Sequence, residues 1–349
     1  MESQSFARVI AALYPILKKD NILKILPNEF KPAHDLCFLI HDIMVELLKS
    51  GGESQAFNQT FELTQNEVES LDKSEDHIID WLNENEKYKE SSLVIRSTVL
   101  PALLSDMLHC VYEAMKASEK GKLTISYMLI RKPIQESLFV LESMILDHEQ
   151  FIKDFANDQK KLSPSSAGGI EGHTKRIANV LDKLKLNTIL SPEYIAQLRY
   201  SKASEDSFDG VCNKAMHLFT SHKSIKTESQ NINFIFAKGE QFPSLWAYFY
   251  SRLPYLLYYI YQLVEFICAE IAPTSNNYLL HMQRWVSSKY IVAFPFVEDQ
   301  YQCKHIDNLN LSFLIWLNND CIKYGYEGLE KVDLVKLSLS GIYDDVGRV

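Results

Sequence analysis

The chain has 349 residues, 46% of them hydrophobic and 23% charged, with a formal net charge of −9. That is ordinary composition for a folded protein, long enough for two domains or one large helical one. The acidic balance excludes capture of nucleic acid by bulk charge, which needs a basic surface.

The asymmetry along the chain is mild. Residues 121–226 carry 15 Lys/Arg against 12 Asp/Glu, and residues 1–120 carry 12 against 20. Six cysteines are scattered, none at C-x-x-C spacing, and most have apolar neighbours. They read as small buried hydrophobes in a reducing compartment. The opening MESQSFARVI lacks the basic-then-apolar order of a signal peptide. The longest uncharged run in the aromatic stretch Phe242 to Ala272 is Leu253 to Val264, 12 residues. This is short of a bilayer span and suits a buried core helix. The expectation is a cytoplasmic protein with no membrane segment.

Taken in order, Phe6, Val9, Ile10, Leu13, Ile16 and Leu17 form one apolar helical stripe, with Pro15 bending or shortening it. Pro32 opens a second helix, with Leu36, Ile40, Ile43 and Leu47 facing inward and Gly51-Gly52 as its stop. Residues 53–66 are polar and irregular, and Ser74 is a candidate N-cap for a helix carrying Ile78, Ile79 and Leu82. From Ser91 or Ser92 a long amphipathic helix uses Leu100, Leu104, Met107, Leu108, Val111 and Met115, and ends at Gly121. Thr124 to Phe151 follows after a short link, so the two should lie antiparallel. This stretch is apolar on nearly every side yet carries Arg131, Lys132, Glu136 and Glu142. Pro133 predicts a kink there and biases Lys132 away from helical angles.

Pro164 to Gly172 is the strongest loop signal. Helices follow over Ile177 to Leu184, from the Ser191-Pro192 start through Tyr200, and over Phe208 to His222. Residues 231–237 alternate like a strand, and Pro243 begins a tyrosine-rich helix to about Ala272. After a boundary at Pro273 to Asn277, helical patterns at 278–287 and 309–323 alternate with strand-like runs, Tyr290 to Val297 and Leu334 to Leu339. The predicted architecture is mainly α: a multi-helix bundle over 1–272 and a small α+β C-terminal part over 273–349.

Motifs for chemistry are few. Lys120 to Thr124 lacks the upstream glycine of a phosphate loop, and Gly168 to Gly172 follows no strand. Asp106, His109, Cys110 and Glu113 share a helix face, as do His34 and His41, each followed by an aspartate. Solvated helix faces account for both, so neither a metal nor a cofactor is assigned. No nucleophile elbow is present.

What remains is a polar constellation. Lys132 and Glu136 are four apart and can pair on one face. Arg131 and Glu142 are eleven apart on nearly the same face. Asn213 and His217 are four apart on a later helix. Arg131, Lys132, Glu136, Asn213 and His217 form the candidate polar site, able to hold an anion or a titratable base, or simply to fix helix register.

LIRKPIQESLFVLE at 129–142, followed by NKAMHLFTSH at 213–222, resembles a pattern in bacterial all-helical proteins. These pair a basic-Pro-x-x-Glu helix with a later Asn-x-x-x-His helix, over roughly residues 120–270 here. Some of those families resemble HEPN-type folds and occur in defence or toxin settings. The resemblance carries over Lys132, Glu136, Asn213 and His217 as site positions. It departs in one respect: none of the eight arginines has a histidine four to six residues later, the spacing of the active HEPN ribonucleases. The first expectation is therefore a non-enzymatic interaction or regulatory protein with a protein partner or a homo-oligomeric state. The second is a bacterial defence or toxin-type effector, a nucleic-acid hydrolase built on the polar constellation.

Overall fold

Every residue from Trp246 to Tyr261 is buried, although Arg252 and Pro254 lie among them. A helix enclosed on all sides has to be the axis of its fold. In the computed structural model, which describes residues 26–216 and 242–343, this helix spans Phe242–Ile271 (α11). The stripe at Phe6 to Leu17, the strand expected at 231–237 and His217 lie outside the described residues.

The N-terminal half wraps α11. Helix α1, Lys31–Glu53, starts on Pro32 as expected and buries Leu36, Ile40, Ile43 and Leu47. It runs through Gly51-Gly52 and stops at Ser54. Gln65–Lys73 (α2) is a short helix that the polar composition hides; Thr64 and Glu67 close a capping box on it. Ile78–Glu84 (α3) is capped by His77 rather than Ser74. Tyr88–Glu119 (α4) begins a turn before Ser91 and ends as Gly121 takes φ +70°. By length and composition α4 is apolar enough to cross a membrane, and it packs against α1 and against α5, Leu123–Lys132.

Pro133 does not push Lys132 out of helical angles as expected. Lys132 keeps helical angles (φ −60°, ψ −50°), and Pro133–Ser137 forms one wide π turn before α6, Leu138–Leu146. The Leu138 N–H donates to the Pro133 carbonyl, so the wider turn absorbs the missing proline donor. Asp147 breaks the chain and caps α7, His148–Asn157. Then come α8, Gly169–Leu184, α9, Pro192–Tyr200, with Ser191 as N-cap, and α10, Phe208–Met216.

The C-terminal part is helical too: α12, Asn276–Ala293, α13, Lys304–Lys323, and α14, Leu334–Ser340. There is no strand among the described residues. The α+β tail is therefore a misreading. Tyr290, Ile291 and Ala293 carry α12 onward with their side chains buried, and Asp333 caps α14 by accepting from the N–H groups of Val335 and Lys336. Helix α12 packs on α1, α13 and α14.

Candidate functional site

The predicted constellation is brought together only in part. Helix α10 packs on α5, so the segment holding Asn213 does reach the one holding Arg131. The expected Lys132–Glu136 pair is replaced by others. Lys132 Nζ reaches across to Asp106 Oδ2 at 2.6 Å, with both side chains about half exposed, and Arg131 lies 3.7 Å from Glu136. The π turn explains the exchange, because it adds a residue to the turn and shifts Glu136 off the i,i+4 register of an α-helix. Asn213 donates to Asp209 (3.1 Å), which in turn accepts from Gln135 (2.8 Å). Gln135 also donates to the Arg199 carbonyl at 2.7 Å. Gln135 had no sequence signal, being one neutral side chain between Pro133 and Glu136. His217 lies outside the described residues.

Glu142 does not pair with Arg131. It and Arg199 are fully buried and bound to each other. Tyr259 donates to the same carboxylate at 2.9 Å, and Arg176 approaches within 3.6 Å. His173 stacks on Tyr200 at 3.6 Å in this group. Burial, with help from Arg199, pushes its pKa down to about 4. Charges matched this way inside a helical core fix which helix meets which.

A second place has the form of a binding site. A cleft of about 540 Å³ opens between α1 and α12, closed at one side by the end of α4. Phe38, Leu39, Ile43, Met282 and Trp285 make its apolar lining. Along α1 the lining recurs at Asp35, Phe38, Asp42 and Glu46, and along α12 at Tyr278, Met282, Trp285 and Lys289, one helical face each. Asp35 acts on Lys289 and Glu46 on Tyr278, so the two helices run antiparallel.

The walls are fixed from behind. Trp285 Nε1 donates to the Ser338 carbonyl at 2.9 Å, and His34 Nδ1 meets Tyr250 Oη of α11 at 2.7 Å. Asp42 and Glu46 edge one end of the cleft. At the other, Lys116 pairs with Glu119 at 2.6 Å, and Lys289 stands beside Asp35. Lys289 is partly buried and has no ion pair among the described residues. Burial lowers its pKa against the pull of Asp35. The described residues contain no group of three or more side chains suited to a metal ion, the His34/His41 face included. Such a cleft can bind a body that is apolar along one side and polar at its ends.

No family model matches the chain, and neither the curated proteins nor the solved structures contain a match. The fold and the cleft therefore define no more than a class: a mainly α bundle, helical throughout the secondary structure of its described residues, with an amphipathic groove.

Proposed function

We propose that the protein is a cytoplasmic helical interaction protein that grips an amphipathic helix in the groove between α1 and α12. One observation carries the reading: an apolar lining about three helical turns long, edged by Asp42 and Glu46 at one end and by Lys289 beside Asp35 and the Lys116–Glu119 pair at the other. An apolar stripe at i, i+3/4 and i+7 of a guest helix fits between two such faces. A guest helix with its N-terminus at Asp42 and Glu46, and its C-terminus at Lys289, is favoured by its own dipole.

The reading is tested by placing a photoreactive benzoylphenylalanine at Trp285 in the full chain and irradiating in a bacterial cytoplasm. The expected adduct is to a polypeptide whose linked peptide has an apolar helical stripe. An adduct to lipid or nucleotide, or none from a folded chain, overturns it.

A second reading keeps the resemblance to HEPN-like bacterial defence proteins. The observation favouring it is the chain of hydrogen bonds from Asn213 through Asp209 to Gln135, next to the Arg131–Glu136 pair. On that reading Glu136→Gln or Asn213→Ala abolishes a growth or nuclease phenotype with the melting temperature unchanged. A fall in melting temperature with the phenotype intact rejects it.

A further inference from the structure

We propose that the outer face of α13 pairs with the same face of a second copy of this chain, the two helices running antiparallel about a two-fold axis. The inference goes beyond the groove reading, because no residue of α13 lines the groove.

Three observations meet here. The first is apolar surface where a solvated helix carries charge. Helix α13 buries Ile306, Leu309, Phe313, Leu317 and Asp320 against the body. The side facing away holds Leu311, Ile315, Asn319 and Ile322, at +4, +8 and +11, one stripe of a helix. Leu311, Ile315 and Ile322 are 54%, 56% and 49% exposed. Their spacing gathers them into one patch about 16 Å long, where single exposed apolar residues would be scattered.

The second is the lack of charge along that patch. Between Asp307 and Lys323 the run NLNLSFLIWLNNDCI holds one charged residue, Asp320. It is buried and paired with Arg284 at 2.7 Å. The stripe can therefore be laid against a copy of itself without stranding a charge or opposing two of one sign. An isologous contact asks for this, because one patch must serve both partners. A lipid surface calls for a basic flank along the helix, and α13 has Lys304 and Lys323 at its two ends alone.

The third is the sign of those ends. Asp307 stands in the first turn of α13 and Lys323 in the last. Both are exposed, and neither makes an ion pair among the described residues. Antiparallel pairing puts Asp307 of each copy at the same end as Lys323 of the other, whereas parallel pairing sets like against like. The helix dipoles also favour the antiparallel direction. The register that stacks apolar on apolar lays Leu311 of each copy over Ile322 of the other, with both Ile315 side chains beside the axis. In that register Lys304 lies past the end of the second copy's helix. A paired molecule carries two grooves, so a partner with two helical stripes is held by both.

The test is sedimentation velocity on the purified full chain at rising concentration. One helix pair is a small contact, so its dissociation constant should be on the order of 1–100 μM. The sedimenting mass should rise from 40.3 kDa towards twice that value. Ile315→Lys, on the solvent side at the middle of the stripe, should hold the chain at the monomer mass with the circular dichroism of the parent. Asp307→Lys alone should weaken association about three- to tenfold, and Asp307→Lys/Lys323→Asp should restore it. A parent that stays monomeric well above that concentration range overturns the proposal; if it then floats with phosphatidylcholine vesicles, the stripe belongs to a lipid surface instead. Association that survives Ile315→Lys overturns the choice of face. A single charge reversal without effect overturns the antiparallel arrangement.

Discussion

Glu142→Gln is the sharpest probe of the core. The Glu142 and Arg199 side chains are both 0% exposed. Glu142 also accepts from Tyr259, and Arg199 Nε donates to the Ile134 carbonyl. Glutamine keeps the shape and one oxygen but removes the countercharge. Arg199 cannot lose its proton, so it is left charged in the low-dielectric interior. Breaking a buried pair from one side costs about 3–5 kcal/mol. Arg176, 3.6 Å from Glu142, loses the same countercharge and keeps the cost at the upper part of that range. At roughly 2–4 °C per kcal/mol for a domain of a few hundred residues, the melting temperature should fall on the order of 10 °C. Urea unfolding at pH 7, followed by circular dichroism, measures the free-energy loss directly, and a thermal scan the fall in melting temperature. The double variant Glu142→Met/Arg199→Met removes both charges and should recover most of the loss. A single variant within about 1 kcal/mol of the parent, or a double variant worse than the sum of the singles, would refute the reasoning.

Four further outcomes are expected. His173 has its folded pKa depressed to about 4 from 6.5. The unfolded chain therefore takes up the proton first, and the stability this contributes is lost as pH falls from about 6.5 to 4. His173→Phe, which keeps the stack on Tyr200, should shrink the difference in urea midpoint stability between pH 7 and pH 5 by about 1–2 kcal/mol; an unchanged acid limb argues against it. Gln135→Leu should cost about 1–3 kcal/mol by leaving Asp209 and the Arg199 carbonyl short of a donor, read by the same unfolding assay. Gly341 has φ +68°, and a Cβ there would meet Trp285 Cβ at 2.6 Å, so Gly341→Ala should cost at least about 1–2 kcal/mol and alter the near-ultraviolet dichroism of Trp285. Lys289→Met should raise the urea midpoint, because a partly desolvated ammonium without an ion pair is replaced by apolar surface.

The helices were legible where one face carries the whole pattern. Leu36, Ile40, Ile43 and Leu47 announce α1, and Ser191-Pro192 marks the start of α9 through cap chemistry alone. The reading failed where apolar residues run together. Tyr290 to Val297 is aromatic and β-branched enough to suggest a strand, yet burial from several sides at the end of α12 asks for the same residues. The core network was half legible. A carboxylate at 142 in an apolar run had to have a partner, but the partner, Arg199, sits 57 residues away on α9, with no local spacing to mark it. Arg131, eleven residues off, was the nearer candidate, and the π turn at Pro133–Ser137 breaks the periodicity on which that pairing was based.

The same criterion separates the two polar groupings in function. The Glu142–Arg199 pair is closed off. Tyr259, Arg176 and the Ile134 carbonyl surround it, and both side chains are out of contact with solvent. A group so enclosed can reward the correct helix register but cannot meet a guest. Lys289 is the opposite case. It borders an open groove, burial lowers its pKa, and no carboxylate among the described residues forms an ion pair with it. A residue that costs stability and forms no ion pair among the described residues is explained when a guest supplies one. On the proposed reading that guest offers the row of carbonyls ending its helix, which lacks intrahelical donors and takes up a lysine in the last turn. Stability and binding should therefore move in opposite directions at position 289 and together at position 142, which ties the interaction surface to the groove and the architecture to the core.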